Sequence, residues 1–323
     1  MRHIASKVTT AIFISLLRPL FGINGNAPIC VLAIRGGLGN QLFQISALSY
    51  LARNFGCIPL IHDYDLTLSS RDRHQSQFRR LDLSEWFYLG NKLRVPEKYT
   101  QKKFLRLAWQ FNKRYQLIPT LTDRELTSIS TDNQGGAHSG LSMDKPFPLN
   151  RQSLNRLFFL NGSFQEPKFA INLPKFNTEK LLRVKPERFR GEIESNSNAV
   201  LIHVRLTDFT NNSEEYLRCI QKGLDIIGSN FTSFHWYTDD IGESKIILRQ
   251  LWGTSKKFFD FPDETMQFDG VALLQKLTTY RNFIPSNSSI CWWSFFLAQN
   301  FGLNPTIFAE GDRFHEYRFQ RLE

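Results

Sequence analysis

From residue 199 to residue 309 the chain alternates short β-rich apolar runs with helical patterns, and no other feature restricts the fold as much. The pattern predicts strands at Ala199–Val204, Phe234–Thr238, Lys256–Phe261, Asn282–Pro285 and Pro305–Ala309. Helices are predicted at Glu243–Trp252, Asp269–Tyr280 and Ile290–Asn300. Strands separated by helices pair in parallel through right-handed crossovers, so this part is α/β. A ligand is then expected outside the carboxyl ends of the strands.

The same pattern opens the chain more briefly. Ile29–Ile34 reads as a strand, Arg35-Gly36-Gly37-Leu38-Gly39 as a glycine turn, and Gln41 to Asn54 as a helix closed by Gly56. A second strand, Cys57–Ile61, runs into Asp63-Tyr64-Asp65. Between Leu66 and Asn198 the signal weakens into polar stretches such as Ser128–Ser142, prolines, and isolated apolar runs such as Leu157–Leu160. The polar stretch Glu194–Asn198 is the best linker. Three parts are expected: an N-terminal extension 1–27, a Rossmann-like domain 28–193 with an irregular middle, and a second Rossmann-like domain 199–323. A ligand would lie in the cleft between the two domains.

Composition narrows the partners. The 323 residues carry a net charge of +10, which suits a nucleotide, a nucleic acid or an anionic membrane surface. Basic residues gather in Arg71–Arg80 and in Lys98–Arg114, the latter interleaved with Trp109, Phe111 and Tyr115. No nucleic-acid module accompanies them, so nucleic acid is not expected, and these runs read as solvated or membrane-facing surface. The 29 phenylalanines are scattered as core residues are. Cys30, Cys57, Cys219 and Cys291 lie far apart without metal-ligand spacing, so no structural metal or disulfide framework is expected.

Near the N-terminus, Val8–Leu17 is an apolar run of ten residues flanked by Lys7 and Arg18, too short to span a bilayer and without a small-residue cleavage pattern. It fits either a helix lying on a membrane surface or an ordinary packed helix. The expected location is the cytoplasm or the cytoplasmic face of a membrane, peripherally. The sequon strings at Asn161, Asn211, Asn230 and Asn287 then carry no weight.

Four constellations carry chemistry. Gly36 to Gln44 lies between strand and helix, where glycines let backbone approach an anion and helix amides point toward it. Leu42 occupies the third glycine position of the dinucleotide fingerprint, so this is a different motif. His203-Val204-Arg205-Leu206-Thr207-Asp208 ends a strand, with His203, Arg205 and Thr207 on one side. The Arg205 guanidinium is suited to a phosphate, although a salt bridge to Asp208 is the structural alternative. Ser286 to Trp293 leads from a strand into a helix with a run of small hydroxyl residues, more than one N-cap requires. Phe234 to Asp240 is a strand end with two carboxylates.

Together these motifs resemble the α-1,2-fucosyltransferase family and its relatives among α-1,6- and protein O-fucosyltransferases, from Ile29 to about Ala309. Gly36–Gln44 is similar to the family's glycine motif, His203–Asp208 to its HxRxxD donor motif, Thr238-Asp239-Asp240 to its acidic strand end and Asn287–Trp293 to its NSS-x-x-WW element. Gly162–Phe169 resembles a further block and adds Gln165. The resemblance implies a GT-B-type fold of two Rossmann-like domains facing a cleft, GDP-fucose on the C-terminal domain and a galactose-terminated acceptor on the N-terminal one. It implies an inverting transfer to the galactose 2-hydroxyl with no metal and no cofactor.

The catalytic set implied is Arg205, Asn40 and Asp208, with Arg205 on the β-phosphate. Donor and substrate binding is implied for Gly36, Gly37, Gly39, Gln41, His203, Thr207, Asp239, Asn287, Ser288, Ser289 and Gln165. Three departures stand out: Leu206 occupies a position where many relatives carry a second Arg, Thr207 replaces a frequent Gly, and Leu273 stands where relatives often carry an acid, with Asp269 a turn earlier as the alternative reader of guanine. The base is open among Asp63, Asp65 and Glu166, or is dispensable in a dissociative reaction. Two rival readings remain: a metal-dependent glycosyltransferase using Asp63 and Asp65, and a catalytically silent nucleotide-sugar or glycan-binding module, which Leu206 favours.

Overall fold

A computed structural model describes residues 2–62, 87–89, 96, 98–123, 157–162, 164–165, 169, 182–184, 199–204, 213–227, 233–238, 242, 244–246, 258–260, 270–286, 288–300 and 305–308. The chain divides into two compact units. The first comprises Met1–Gly36, Asn40–Ser76 and Asp82–Val184, and the second Gly37–Gly39, Gln77–Leu81 and Lys185–Glu323. Both are α/β with a parallel main sheet, as the alternating patterns imply.

In the first unit, β1 (Ile29–Ala33) leads through α2 (Leu38–Phe55) to β2 (Ile58–His62). With β4 (Thr120–Leu121) and β5 (Leu157–Leu160) they form a parallel sheet in the order β2-β1-β5-β4. Register places Val31 between Leu60 and Phe159. Every residue of β1 and β5 is buried, as expected of a parallel sheet covered on both faces. A separate antiparallel pair joins β3 (Phe87–Leu89) to β6 (Leu182–Val184).

One face of the main sheet presents Ile29, Val31, Ala33, Leu60, Leu157 and Phe159. Two helices pack on it: α1 (Arg2–Leu20), through Leu17, and α3 (Tyr99–Tyr115), through Leu105, Ala108 and Trp109. Trp109 meets Phe159 edge to face at 5.1 Å. Apolar burial of this kind stabilises by roughly 25 cal/mol per Å², so the pair is a main anchor of α3. The apolar run Val8–Leu17 is therefore part of a packed helix.

The basic run with interleaved aromatics proves to be helix α3, whose apolar side follows helical spacing. Its start is tied to α1 by Gln101, whose Oε1 accepts from Lys98 N at 3.1 Å while its Nε2 donates to Leu20 O at 2.9 Å. Its exit is set by buried Asn112, which accepts from Ile118 N at 2.7 Å and donates to Thr120 Oγ1 at 2.9 Å. Gln116 closes the helix in the left-handed conformation, φ 49°.

The second unit orders its strands β11-β10-β7-β8-β9, all parallel. These are β7 (Ala199–Val204), β8 (Ser233–Thr238), β9 (Phe258–Asp260), β10 (Asn282–Ile284) and β11 (Thr306–Ile307). Helices α4 (Ser213–Ile227), α5 (Gly270–Thr278) and α6 (Ser289–Asn300) lie between them in sequence. The alternating pattern missed α4. Of the expected helix Glu243–Trp252, the residues described, 244–246, are helical. Helix α6 is apolar on all sides and packs Trp292 flat on Phe296 at 5.1 Å, with Trp293 edge-on to both.

Candidate functional site

The order β11-β10-β7-β8-β9 has a switch point. From β7 the chain proceeds outward through β8 to β9, whereas from β10 it proceeds the other way to β11. Connections leaving adjacent strands in opposite directions open a crevice at their carboxyl ends, where open α/β sheets bind ligands. His203 lies at the end of β7, and Ser286 two residues beyond β10. Their side chains meet across the switch point, His203 Nδ1 to Ser286 Oγ at 2.6 Å, both buried. The histidine ring is thereby held at the crevice floor in one orientation.

Ser288 is the residue before α6, and its carbonyl accepts from Cys291 N at 3.0 Å and Trp292 N at 3.2 Å. A serine here ordinarily turns its hydroxyl back onto the first-turn amides. Ser288 Oγ does not: it is buried with no hydrogen-bond partner among the described residues. A buried hydroxyl left unmatched costs about 1–3 kcal/mol unless a ligand satisfies it. It sits where the helix dipole and free amides favour an anion. Ser289 follows, also buried.

The glycine segment Gly37–Gly39, which counts with this second unit, meets that helix start. A Cβ placed on Gly39 would lie 2.4 Å from Ile290 N and 2.5 Å from Ser289 Oγ, whereas one on Gly37 would meet nothing within 4 Å. Close approach of backbone to the α6 amides thus requires glycine at 39 and not at 37.

Cys291, one turn into the anion end of α6, is no nucleophile. Burial pushes its thiol up to about 12, against smaller opposing pulls from hydrogen bonds of the Ser286 backbone and the Ser294 hydroxyl.

In the first unit the carboxyl ends of the adjacent strands β1 and β5 carry a second cluster. Gly36 turns the chain with φ +78°, a conformation glycine adopts without strain. The turn is closed by two glutamines of α2. Gln44 Oε1 accepts from Arg35 N at 3.0 Å, and Gln41 Nε2 donates to Gly36 O at 2.8 Å. Gln41 is fully buried, so it builds the turn rather than lining it. Asn40 keeps partial exposure, and its Oδ1 accepts from Gln165 Nε2 at 2.5 Å. Gln165 is delivered by a tight bend after β5. Asp123 accepts from the Phe164 amide, Phe164 is left-handed at φ 50°, and a Cβ on Gly162 would come 2.6 Å from Asp123 Oδ2.

The structure therefore gathers His203, Ser288, Ser289 and Gly39 at one cluster and Asn40, Gln165, Gln41 and Gly36 at another. Arg205, Thr207, Asp208, Asp239 and Asn287 lie outside the described residues, as do Asp63, Asp65, Glu166, Leu206 and Asp269. Sequence reasoning did not single out Ser286 and Gln44. Ser286 stands at the head of the hydroxyl run, but its pairing to His203 depends on strand order, which spacing alone does not reveal. No group of three or more His, Cys, Asp or Glu side chains able to hold a metal occurs among the described residues.

No protein-family model and no curated protein matches this chain. Among solved structures, the chain is similar to the fucosyltransferase NodZ from Bradyrhizobium at 12% identity and a TM-score of 0.44, over 85% of this chain and 94% of that one. NodZ α-1,6-fucosyltransferase co-crystallised with GDP gives 14% identity and a TM-score of 0.44, over 85% and 93%. A variant of Arabidopsis thaliana FUT1 in complex with GDP gives 13% identity and 0.47, over 91% and 74%.

Proposed function

We propose that this chain is a metal-independent, inverting fucosyltransferase of the GT-B type that moves L-fucose from GDP-fucose to the 2-hydroxyl of a terminal galactose. The observation that carries the reading is the buried, unmatched Ser288 hydroxyl at the start of α6, at the switch point of a parallel sheet. That position asks for an anion, and the diphosphate of a nucleotide sugar supplies one. The choice of GDP-fucose rests on the four motifs in order, and the α-1,2 linkage on family resemblance.

On this reading Ser288 and Ser289 hold the diphosphate with the α6 amides, and Gly39 allows the backbone to close on the same helix start. Arg205, one residue beyond β7, meets the charge that grows on the β-phosphate as the glycosidic bond breaks. An arginine in a comparable task is worth about 10³ to 10⁵ in rate. His203, oriented by Ser286, faces the nucleoside, while Asn40, its amide oriented by Gln165, serves the sugar and acceptor. With Arg205 and helix amides neutralising the leaving group, no cofactor is invoked.

The test measures GDP release from GDP-fucose in excess EDTA with a panel of β-galactosides, for wild type and Arg205→Ala. Acceptor-dependent release that collapses in the variant is expected, with product analysis giving the linkage. Release that requires added Mn²⁺ would instead move the chemistry to Asp63 and Asp65. No release under either condition would leave a binding module.

A further inference from the structure

The geometry points to a second functional surface, independent of the reading above: the outer face of the α1–α3 helix pair docks on an anionic phospholipid bilayer. The two helices lie antiparallel, because Ser6 Oγ near the start of α1 donates to Leu117 O just past α3, and Gln101 near the start of α3 reaches Leu20 O at the end of α1. Their inner faces share one core. Phe13 of α1 seals the seam, touching Phe104 at 5.8 Å and Phe111 at 5.7 Å.

The outer faces are apolar where solvent should select polar residues. Val8, Ile12 and Leu16 recur at i, i+4 and i+8 of α1, each 53% exposed. On α3 the same spacing brings Leu107, Phe111 and Tyr115 to the surface, and Phe111 leans on Tyr115 at 4.7 Å. Phe13 connects the two rows, making a band of six large side chains that a chain in water alone has no reason to keep.

Charge identifies the occupant. The helices carry three and five Lys or Arg respectively and not one Asp or Glu. Lys103 and Arg114 flank Leu107 on α3, and the Arg114 guanidinium lies 5.4 Å from the Tyr115 ring centre. An apolar band on two helices whose charged residues are all cations, edged by an amphipathic aromatic, is complementary to acyl chains beneath anionic headgroups. A second copy of this chain would set those cations against each other. No described helix is long and apolar enough to cross a membrane, so the contact proposed is with the surface.

The test is flotation of the full chain with vesicles of phosphatidylcholine alone and of phosphatidylcholine with phosphatidylglycerol. Binding is expected to the anionic vesicles at least about tenfold above the neutral ones, and to fall as salt shortens the screening length from ~10 Å at 0.1 M to ~3 Å at 1 M. Ile12→Glu with Leu16→Glu should abolish flotation. Lys103→Gln with Arg114→Gln should weaken it severalfold and flatten its salt dependence. Both pairs lie on exposed positions, so unchanged circular dichroism and melting are expected. Ile226→Glu, on an exposed face of α4, should leave flotation intact. Equal binding to both vesicle types, no binding, loss in Ile226→Glu as well, or self-association that Ile12→Glu with Leu16→Glu removes would each overturn the proposal.

Discussion

Gly39→Ala is the sharpest test of how the glycine motif works, because Gly37→Ala, two residues away with open space around its Cβ, supplies the control. The added methyl would sit 2.4 Å from Ile290 N, where an ordinary contact begins at 3.4 Å, so either helix start must yield by about 1 Å. Forcing a methyl into a packed site costs about 1–3 kcal/mol. Alanine returns up to ~1 kcal/mol of helix propensity at this position in α2, so a net loss of up to ~2 kcal/mol is expected. At about 2–4 °C per kcal/mol, that is a readable fall in melting temperature. Geometry suffers more: a displacement near 1 Å in a reacting site can cost about 10²-fold in turnover. Gly37→Ala meets nothing within 4 Å and should cost at most about 1 kcal/mol as a poorer cap, without displacing either helix start. Paired thermal melts and GDP-release rates decide the matter. If the two variants melt together and turn over alike, the close approach of Gly39 to α6 does not constrain this protein.

Ser288→Ala should change stability by less than about 1 kcal/mol, since its hydroxyl caps nothing, yet weaken GDP-fucose binding about tenfold in a calorimetric titration; the reverse pattern would make it a plain structural serine. Gln165→Ala should lower turnover while leaving GDP-fucose affinity near wild type, and a loss of donor affinity would remove the acceptor-side role of Asn40 and Gln165. Asn112→Leu strands the Ile118 amide and should cost about 1–3 kcal/mol in urea unfolding, whereas Asn112→Asp keeps the acceptor and should lose less. Burial raises the Cys57 and Cys291 thiols to about 12, above their unfolded value of 9.0. Each therefore contributes stability that is whole below pH 9 and drains at about 1.4 kcal/mol per pH unit as pH climbs toward 12. Cys291→Ala should flatten the melting curve against pH in that window, and an unchanged slope would refute the assignment.

Much of the second unit was legible because parallel strands buried on both faces must be apolar throughout, and runs such as Ala199–Val204 and Asn282–Ile284 announce that. The first β-α-β unit was readable for the same reason, aided by glycine punctuation at 36 and 56. Helix α4 escaped because its pattern lacks the hydrophobic density of its neighbours. Helix α3 was hidden by charge: five cations drew attention, while the spacing of Leu105, Ala108, Trp109 and Asn112 carried the fold. Leu157–Leu160 was visible as an apolar run but not as the strand beside β1, since strand order is a property of long-range pairing. The candidate site shows the same division. Ser288 and Asn40 stand in motifs, but that the Ser288 hydroxyl has no local task, or that Gln165 orients Asn40, depends on contacts sequence spacing does not encode.

The Asp123 bend joins two strand ends of the first unit. β4 pairs with β5, and Asp123 just beyond β4 grips the Phe164 amide beyond β5, so the chain entering residues 124–156 and the chain leaving them are fastened to each other. The fastening is made by residues at the two strand ends themselves: the Thr120–Leu121 pairing with Phe159–Leu160, then the Asp123 carboxylate on the Phe164 amide. The bend works as a clamp, and the side chain it holds in aim is Gln165 on Asn40.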